Sequence, residues 1–492
     1  MPAVVMIGHN HTYPICDVLR LFFGPVLRSE DDQVIAGDEH PRILSILEPR
    51  AGDDVRVATK WNHDGQSFSA DRAVPVQAAK KELKRQLYQS LSELTGHQFP
   101  WGSLTGIRPT QVAAESLRAT GSQAGARHDL ISTWFVSPEK ADLAVETALA
   151  EEHILAGLPS GAAMVYLGVP FCPSRCAYCS FISQDAVHQS HLLEPYVDAV
   201  LNETGLFFAK VKNALPISAV YVGGGTPTSL PPGLLERLLQ GVLANLPLLP
   251  GAELTVEAGR PDTVTAEKLA VIRAAGAGRL CINPQTFHDR TLERIGRQHN
   301  SAQTQEACYL ARDMGFPSLN MDLIAGLPGE TPMDFLESLQ RALDLGLDSI
   351  TLHSLAMKRS SRLDRVSRER GEHPGLPDPD LAEGLAAARR RLDQAGFKPY
   401  YLYRQKDVVG GLENTGYARP GHESLYNVGM MSDRRSIIGL GSGAMSKLVE
   451  GDRVERAPNL KDIAGYIRRS TEMATRKINF FAGEGRVDCK FK

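Results

Sequence analysis

"AMVYLGVPFCPSRCAYC", residues 163–179, joins two signals on which the reading of the whole chain turns. Its first seven residues form an unbroken apolar run with β-branched and aromatic members, the pattern of a strand buried on both faces. Its last eight hold Cys172, Cys176 and Cys179, three of only seven cysteines in 492 residues. Pro170 stands between them, so the thiol loop leaves the strand abruptly.

Five more strand-like runs follow: "ISAVYVGG" (217–224), "AELTVEA" (252–258), "GRLCINP" (278–284), "PSLNMDLIAG" (317–326) and "LDSITLHS" (347–354). Helical stretches such as "PGLLERLLQGVLANL" and "TPMDFLESLQRALDLG" lie between them. Strand followed by helix, six times, predicts parallel strands with right-handed crossovers. Six units fall short of eight, so the expected fold is α/β, an incomplete (β/α)6 barrel over 163–355, with a doubly wound sheet as the alternative. Ahead of it, residues 1–157 read as an α+β domain. "DDVRVATKW" alternates as a strand, and "VPVQAAKKELKRQLYQSLSELTG" carries a helical stripe ending at Gly96. A second helix has Ser137 as N-cap and Gly157 as its stop, before a linker at 158–162. Residues 356–492 read as a mainly helical region covering the substrate, with one strand-like run, "FKPYYLYRQK". The charged, Pro- and Gly-rich stretch 358–380 has the composition of a surface excursion or lid.

Hydrophobic content of 42% and charged content of 23% are those of a globular protein. A formal charge of -3 offers no basic field for nucleic acid, and no apolar run reaches the length of a membrane span. The opening "MPAVVMIGHNHTYPICDVLR" lacks the basic start and long apolar stretch of a secretory signal. An odd, scattered set of cysteines is no disulfide framework, so a reducing compartment, the cytoplasm, is expected. Cys16, Cys281, Cys308 and Cys489 read as buried or incidental thiols.

The C-terminal ends of parallel strands are where barrel active sites assemble. Four irons need four ligands, and a loop supplying three thiolates leaves one iron free for another molecule. A structural zinc site would need a fourth ligand, for which His188 or His191 stand nearby. However, C-x3-C-x2-C is not the paired C-x2-C spacing of zinc ribbons. After the second strand, "YVGGGTPT" places Gly223, Gly224 and Gly225 where the backbone can approach a ligand closely.

"CPSRCAYC" after a strand, with "YVGGGTPT" after the next, resembles the radical S-adenosylmethionine superfamily. The resemblance implies a [4Fe-4S] cluster on Cys172, Cys176 and Cys179, whose open iron is chelated by S-adenosylmethionine. An electron from the cluster then releases a 5′-deoxyadenosyl radical. It further implies that Gly223, Gly224, Gly225 and Thr226 meet the methionyl amino group. "YLGVPFC", "LTVEAGRPDT", "PQTFHDRTLERIGR" and "NMDLIAGLPGET" narrow the likeness to the oxygen-independent coproporphyrinogen III dehydrogenase group. In that group Tyr166 would touch the sulfonium region and take part in catalysis, and Glu257 would lie near the cofactor. Gln285, Arg297 and Asp322 would hold its ribose and carboxylate.

"LTGIRPT", "NTGYARPG" and "GLGSGAMSK" are similar to the long, HemZ-type branch of this group. The implied activity is oxidative decarboxylation of coproporphyrinogen III to protoporphyrinogen IX, with a flavodoxin- or ferredoxin-like electron donor. Phe181 stands where the dehydrogenase has a further cysteine, which is the pattern of a related haem-carrier branch. That branch in turn has a histidine where this chain has Met445, so a haem partner and other tetrapyrroles stay open. A pocket for carboxylates wants cations, and Lys358, Arg359, Arg362, Arg404, Lys406, Arg434 and Arg435 are available. Each reads first as a solvated surface charge. Tyr403 and Asn427 lie in stretches similar to the family's substrate-side motif.

Overall fold

The computed structural model describes residues 1–24, 26, 34–35, 38–50, 52–106, 108–179, 184–211, 215–357, 361–363, 365, 375–405, 408–451 and 453–482. Phe181, Lys358, Arg359, Lys406, Cys489 and most of the expected lid stretch lie outside them. The chain forms two compact units. Unit 1 is Met1–Ala148 with Asp364–Ala382 and Tyr403–Glu413; unit 2 is Leu149–Leu363 with Glu383–Leu402 and Asn414–Lys492.

Unit 1 is built on a sheet of β1 (Pro2–Ile7), β2 (Val34–Ile35), β3 (Asp38–Pro49), β4 (Asp54–His63) and β5 (Gln66–Pro75), ordered β2-β1-β3-β4-β5. Helices α1 (Thr12–Phe23), α2 (Ala79–Thr95), α3 (Pro109–Thr120), α4 (Gln123–Trp134) and α5 (Pro138–Ala156, whose last turns belong to unit 2) complete it. Gly96 ends α2 in the left-handed conformation, as its place after the apolar stripe predicts. Ser137 caps α5 by accepting from the Lys140 amide at 3.4 Å. The Lys140 ammonium turns inward, to Glu413 at 2.7 Å.

Among its described residues unit 2 carries a run of six parallel strands in chain order: β6 (Ala163–Val169), β9 (Ile217–Gly224), β10 (Leu248–Gly259), β11 (Arg279–Ile282), β12 (Ser318–Ala325) and β13 (Ser349–Ser354). The short strands β7 (Phe171–Cys172) and β8 (Gln184–Asp185) pair with each other in the thiol loop. Helices α6 (Leu193–Val211), α7 (Pro232–Leu243), α8 (Ala266–Ala274), α9 (Asp289–Arg294), α10 (Ser301–Asp313) and α11 (Pro332–Asp344) fall between the strands. Their starts are written locally. Asn300 with Gln303, and Thr331 with Asp334 behind Pro332, form reciprocal capping boxes.

The six strands lie side by side in chain order, each parallel to the last. A doubly wound sheet reverses direction at a switch point. This one never does, so the crossovers pile on one face and the sheet curves as a partial barrel wall. The C-terminal chain adds α12 (Pro379–Gln394), β14 (Lys398–Arg404), β15 (Glu413–Ala418), α13 (Leu425–Ser432), β16 (Ile437–Leu440), β17 (Met445–Glu450), β18 (Arg453–Pro458), α14 (Ile463–Arg468) and α15 (Ser470–Ala482). β16 runs parallel to β6 and β15 antiparallel to β13, so both free edges of the six-stranded wall are paired. These added strands were not legible beforehand, except for the run that became β14. No helix among the described residues is long and apolar enough to cross a membrane.

Candidate functional site

At the C-terminal end of β6 the chain turns at Pro170 into β7 and the thiol loop. The glycine run at the end of β9 lies against this turn. Gly225 N–H donates to Val169 O at 2.8 Å and Thr226 N–H to Phe171 O at 2.7 Å. Two of the three glycines have no room for a side chain. A Cβ on Gly225 would stand 2.5 Å from Phe171 O and 2.9 Å from Cys172 Sγ, and one on Gly223 would stand 3.0 Å from the Glu257 carboxyl. Gly224 has φ of +112°, which side chains resist. The triplet is therefore a cradle that any added methyl group would fill.

Cys172, Cys176 and Cys179 are half-buried, whereas Cys16, Cys281 and Cys308 are buried. The loop is gripped from outside its own sequence. Ala177 N–H donates to Ile295 O at 2.9 Å, and Ser174 Oγ to Gly296 O at 3.2 Å. Cys179 N–H closes a turn on Cys176 O at 3.1 Å, and Thr226 Oγ1 lies 3.6 Å from Cys172 Sγ. Among the described residues no three His, Cys, Asp or Glu side chains crowd together as a single metal ion needs. A four-iron cluster instead takes its thiolates at separate corners.

Beside the loop, strand register puts a polar layer on one face of the wall. Tyr166 pairs in register with Tyr221, and Tyr221 with Thr255, two residues before Glu257. Cys281 pairs with Glu257 and with Asn320, two residues before Asp322. Side chains two apart share a face, so Tyr166, Tyr221, Glu257 and Asp322 look the same way. Tyr221 donates to Glu257 Oε1 at 2.5 Å. Burial, with the nearby charge of Asp322, pushes the Glu257 carboxyl up to about 7 against the pull of the Tyr221 and Gly224 hydrogen bonds. Burial would also raise Asp322, but hydrogen bonds from His353, Asn320 and Thr351 outweigh it and hold that carboxyl below its usual range.

Gln285 and Arg297 sit one loop further on, both 9% exposed. Gln285 is held in the left-handed region, φ +77°, because its backbone is pinned to β12 on both sides. Its N–H donates to Asp322 O at 3.1 Å and its carbonyl accepts from Ile324 at 2.9 Å. Arg297 donates to Asn283 O and, at 3.0 Å, to Tyr178 Oη. Gln285 Oε1, Asn283 Oδ1 and Arg297 Nε are buried with no partner among the protein's atoms. Orphaned buried polar atoms cost stability unless a ligand meets them. Together with the glycine cradle and the three cysteines of one loop, they fit a cluster with a polar, charged cofactor beside it.

Several neighbours escaped the reading of the sequence. Tyr221 stacks on Tyr166 and on Tyr426 of α13, with centroids 6.4 and 4.7 Å apart. Arg260, only 2% exposed, forks between Ser174 Oγ at 3.0 Å and Cys176 Sγ at 3.9 Å. Asp262 holds Arg260 by two bonds of 3.0 and 3.2 Å and lies 3.5 Å from the buried ring of His299. Burial would push Asp262 up, but the His299 and Arg260 hydrogen bonds prevail and hold it at about 2. The period-two alternation of β9 could have revealed Tyr221, two residues ahead of Gly223. Nothing in "EAGRPDT" distinguishes Arg260 from a solvated charge.

One expectation about the carboxylate-binding candidates is overturned. Arg404 is not a solvated surface charge. It is 7% exposed within unit 1, donating to Leu104 O and, at 2.9 Å, to Gly411 O. Arg434 pairs with Glu152, Arg435 donates to Leu155 O at 3.1 Å, and Arg362 is exposed. Asn427 lies on α13 and Tyr403 on β14.

A family model described as the Radical SAM superfamily matches residues 166–342. The oxygen-independent coproporphyrinogen-III oxidase-like protein HemZ of Bacillus subtilis (strain 168) is 32% identical over 486 residues, 95% of this chain and 95% of its own. The heme chaperone HemW of Escherichia coli (strain K12) is 29% identical over 332 residues, 66% of this chain and 82% of its own. Among solved structures, coproporphyrinogen III oxidase (HemN) from Escherichia coli superposes with a TM-score of 0.52 at 24% identity, covering 67% of this chain and 73% of that one. At that identity the likeness is one of fold.

Proposed function

Because the chain belongs to the radical S-adenosylmethionine superfamily, in the HemZ type of its oxygen-independent coproporphyrinogen-III oxidase-like group, we propose that it oxidises coproporphyrinogen III without oxygen in haem biosynthesis. Two propionate side chains would each lose carbon dioxide and hydrogen to become vinyl groups, giving protoporphyrinogen IX. The cofactors are a [4Fe-4S] cluster and S-adenosylmethionine. When bound, they supply an electron and a 5′-deoxyadenosyl radical strong enough to take hydrogen from an unactivated carbon.

The observation that carries this reading is the meeting of the thiol loop, the glycine cradle and three orphaned polar atoms at the C-terminal ends of the parallel strands. Cys172, Cys176 and Cys179 would hold the cluster. Gly223, Gly224, Gly225 and Thr226 would offer backbone and hydroxyl groups to an amino acid moiety. Arg297 would meet a carboxylate, and Asp322, ionised in its setting, suits a pair of ribose hydroxyls. Gln285 and Glu257 would complete the polar wall. Tyr166, stacked with Tyr221 and Tyr426, closes one side with apolar surface and keeps water from a reactive centre. A flavodoxin- or ferredoxin-type carrier would deliver the electron in the cytoplasm.

Haem carriage is the second reading, favoured by Phe181 in place of the dehydrogenase's further cysteine and by the likeness to the heme chaperone. Mass spectrometry after anaerobic incubation of reconstituted protein with S-adenosylmethionine, a reductant and coproporphyrinogen III separates the two. Loss of two carboxyl groups per porphyrin with 5′-deoxyadenosine formed alongside, both abolished in Cys176→Ala, is the expected result. Untouched porphyrin with stoichiometric haem binding would replace the enzyme reading by the carrier.

A further inference from the structure

Cys176 has positive charge close beside its sulfur. Two buried guanidinium groups approach it from different loops, Arg260 at 3.9 Å from Sγ and Arg297, which reaches the same sulfur and also bonds the adjoining Tyr178. The two are not equivalent. Arg297 keeps an unpartnered Nε, as a group awaiting a ligand would. Arg260 has two nitrogens fixed by Asp262 and its third shared between Ser174 and Cys176. Asp262 in turn lies against His299, whose side chain is fully buried. Burying an arginine beside a thiol is costly unless the charge is compensated, and the two-bonded Asp262 supplies that compensation. What remains is a rigid donor aimed at one sulfur.

We propose that Arg260, aligned by Asp262, is a positioning residue that sets the reduction potential of the cluster through the Cys176 sulfur. Hydrogen bonds to cluster sulfurs and nearby positive charge both favour the reduced form, because reduction adds an electron to an already negative group. Arg260 supplies both at one ligand, and its bond to Ser174 keeps the loop in register while it does so. This inference rests on the reading that Cys172, Cys176 and Cys179 hold the cluster.

Arg260→Gln and Asp262→Asn, reconstituted anaerobically, test it by redox titration followed by electron paramagnetic resonance, with iron and sulfide counted per chain. Arg260→Gln removes positive charge and a donor, so its midpoint potential should move negative. Asp262→Asn unmasks the positive charge of Arg260, so its midpoint should move positive. Arg260→Lys, which keeps the charge without the fork, should fall between Arg260→Gln and the unaltered protein. A merely structural role would loosen the loop in both main variants and move both potentials the same way. Shifts of one sign, or none in protein that retains its iron, would overturn the proposal. Should Arg260→Gln not fold, the sign of the Asp262→Asn shift decides alone. Failure of the underlying reading has a separate signature, since Cys176→Ala would then keep the iron, sulfide and spectrum of the unaltered protein.

Discussion

Glu257 is a carboxyl whose environment opposes its charge. Burial is the largest cause, Asp322 adds to it, and the carboxyl stays protonated up to about 7, against 4.5 in an unfolded chain. Between those values the folded protein holds a proton that the unfolded chain has lost, so its stability falls as pH rises through that window. The loss reaches at most about 3 kcal/mol. Glu257→Gln has nothing to titrate. Its melting temperature should therefore gain on that of the unaltered protein from about pH 5 to about pH 7 and run parallel above. A constant gap across the range would refute the assignment. Gly225 makes a second test at this scale. Gly225→Ala puts a methyl group against Phe171 O and Cys172 Sγ, backbone and thiol that cannot both withdraw. We expect a destabilisation of about 1–3 kcal/mol and less iron retained per chain on reconstitution, whereas unchanged iron would mean the cradle yields.

Helix α13 shows how one strand residue places an element. Glu253 on β10 accepts from Ser424 Oγ at 3.0 Å and from the backbone amides of Leu425 and Tyr426 at 2.7 and 3.2 Å. A carboxylate on the first N–H groups of a helix satisfies donors that have no partner inside it and suits the helix dipole. The same anchor fixes Tyr426, which stacks on Tyr221 and Tyr166. Glu253→Ala should cost about 1–3 kcal/mol in denaturant unfolding and should raise hydrogen exchange at Leu425 and Tyr426 first. Exchange unchanged at those amides would mean that packing alone seats α13. The six strands of the wall announced themselves as elements because buried parallel strands are continuous apolar runs. β16, β17 and β18 did not, since "IIGL" and the mixed runs after it are too short or too polar to show a period.

At the scale of the molecule, each unit is closed by charges buried far apart in sequence. In unit 1 Glu413 receives Lys140 Nζ at 2.7 Å and Trp101 Nε1 at 2.8 Å, which fastens segment 403–413 to the first third of the chain. In unit 2 Glu203, wholly buried, gathers Lys477, Tyr466, Asn459 and the Gly441 amide. Breaking one partner of such a pair leaves an uncompensated charge. Lys140→Met should therefore cost about 3–5 kcal/mol, and adding Glu413→Leu should recover much of it. Denaturant unfolding of the two single variants and the double variant tests this. Additive losses would show that the two residues do not act as a pair.

The sequence by itself determined the parallel (β/α)6 wall, the place of the thiol loop at its first strand and the glycine run behind the second, because these are properties of adjacent residues. Helix caps at Ser137 and Gly96 were legible for the same reason. Only the tertiary structure decided which polar groups face one another. Tyr221 reaches Glu257, Arg260 reaches Cys176 and Arg404 turns inward, contacts between residues 36, 84 and 300 positions apart. A buried and a solvated charge look identical in a sequence. What separates them is the desolvation imposed by strands and loops arriving from elsewhere in the chain.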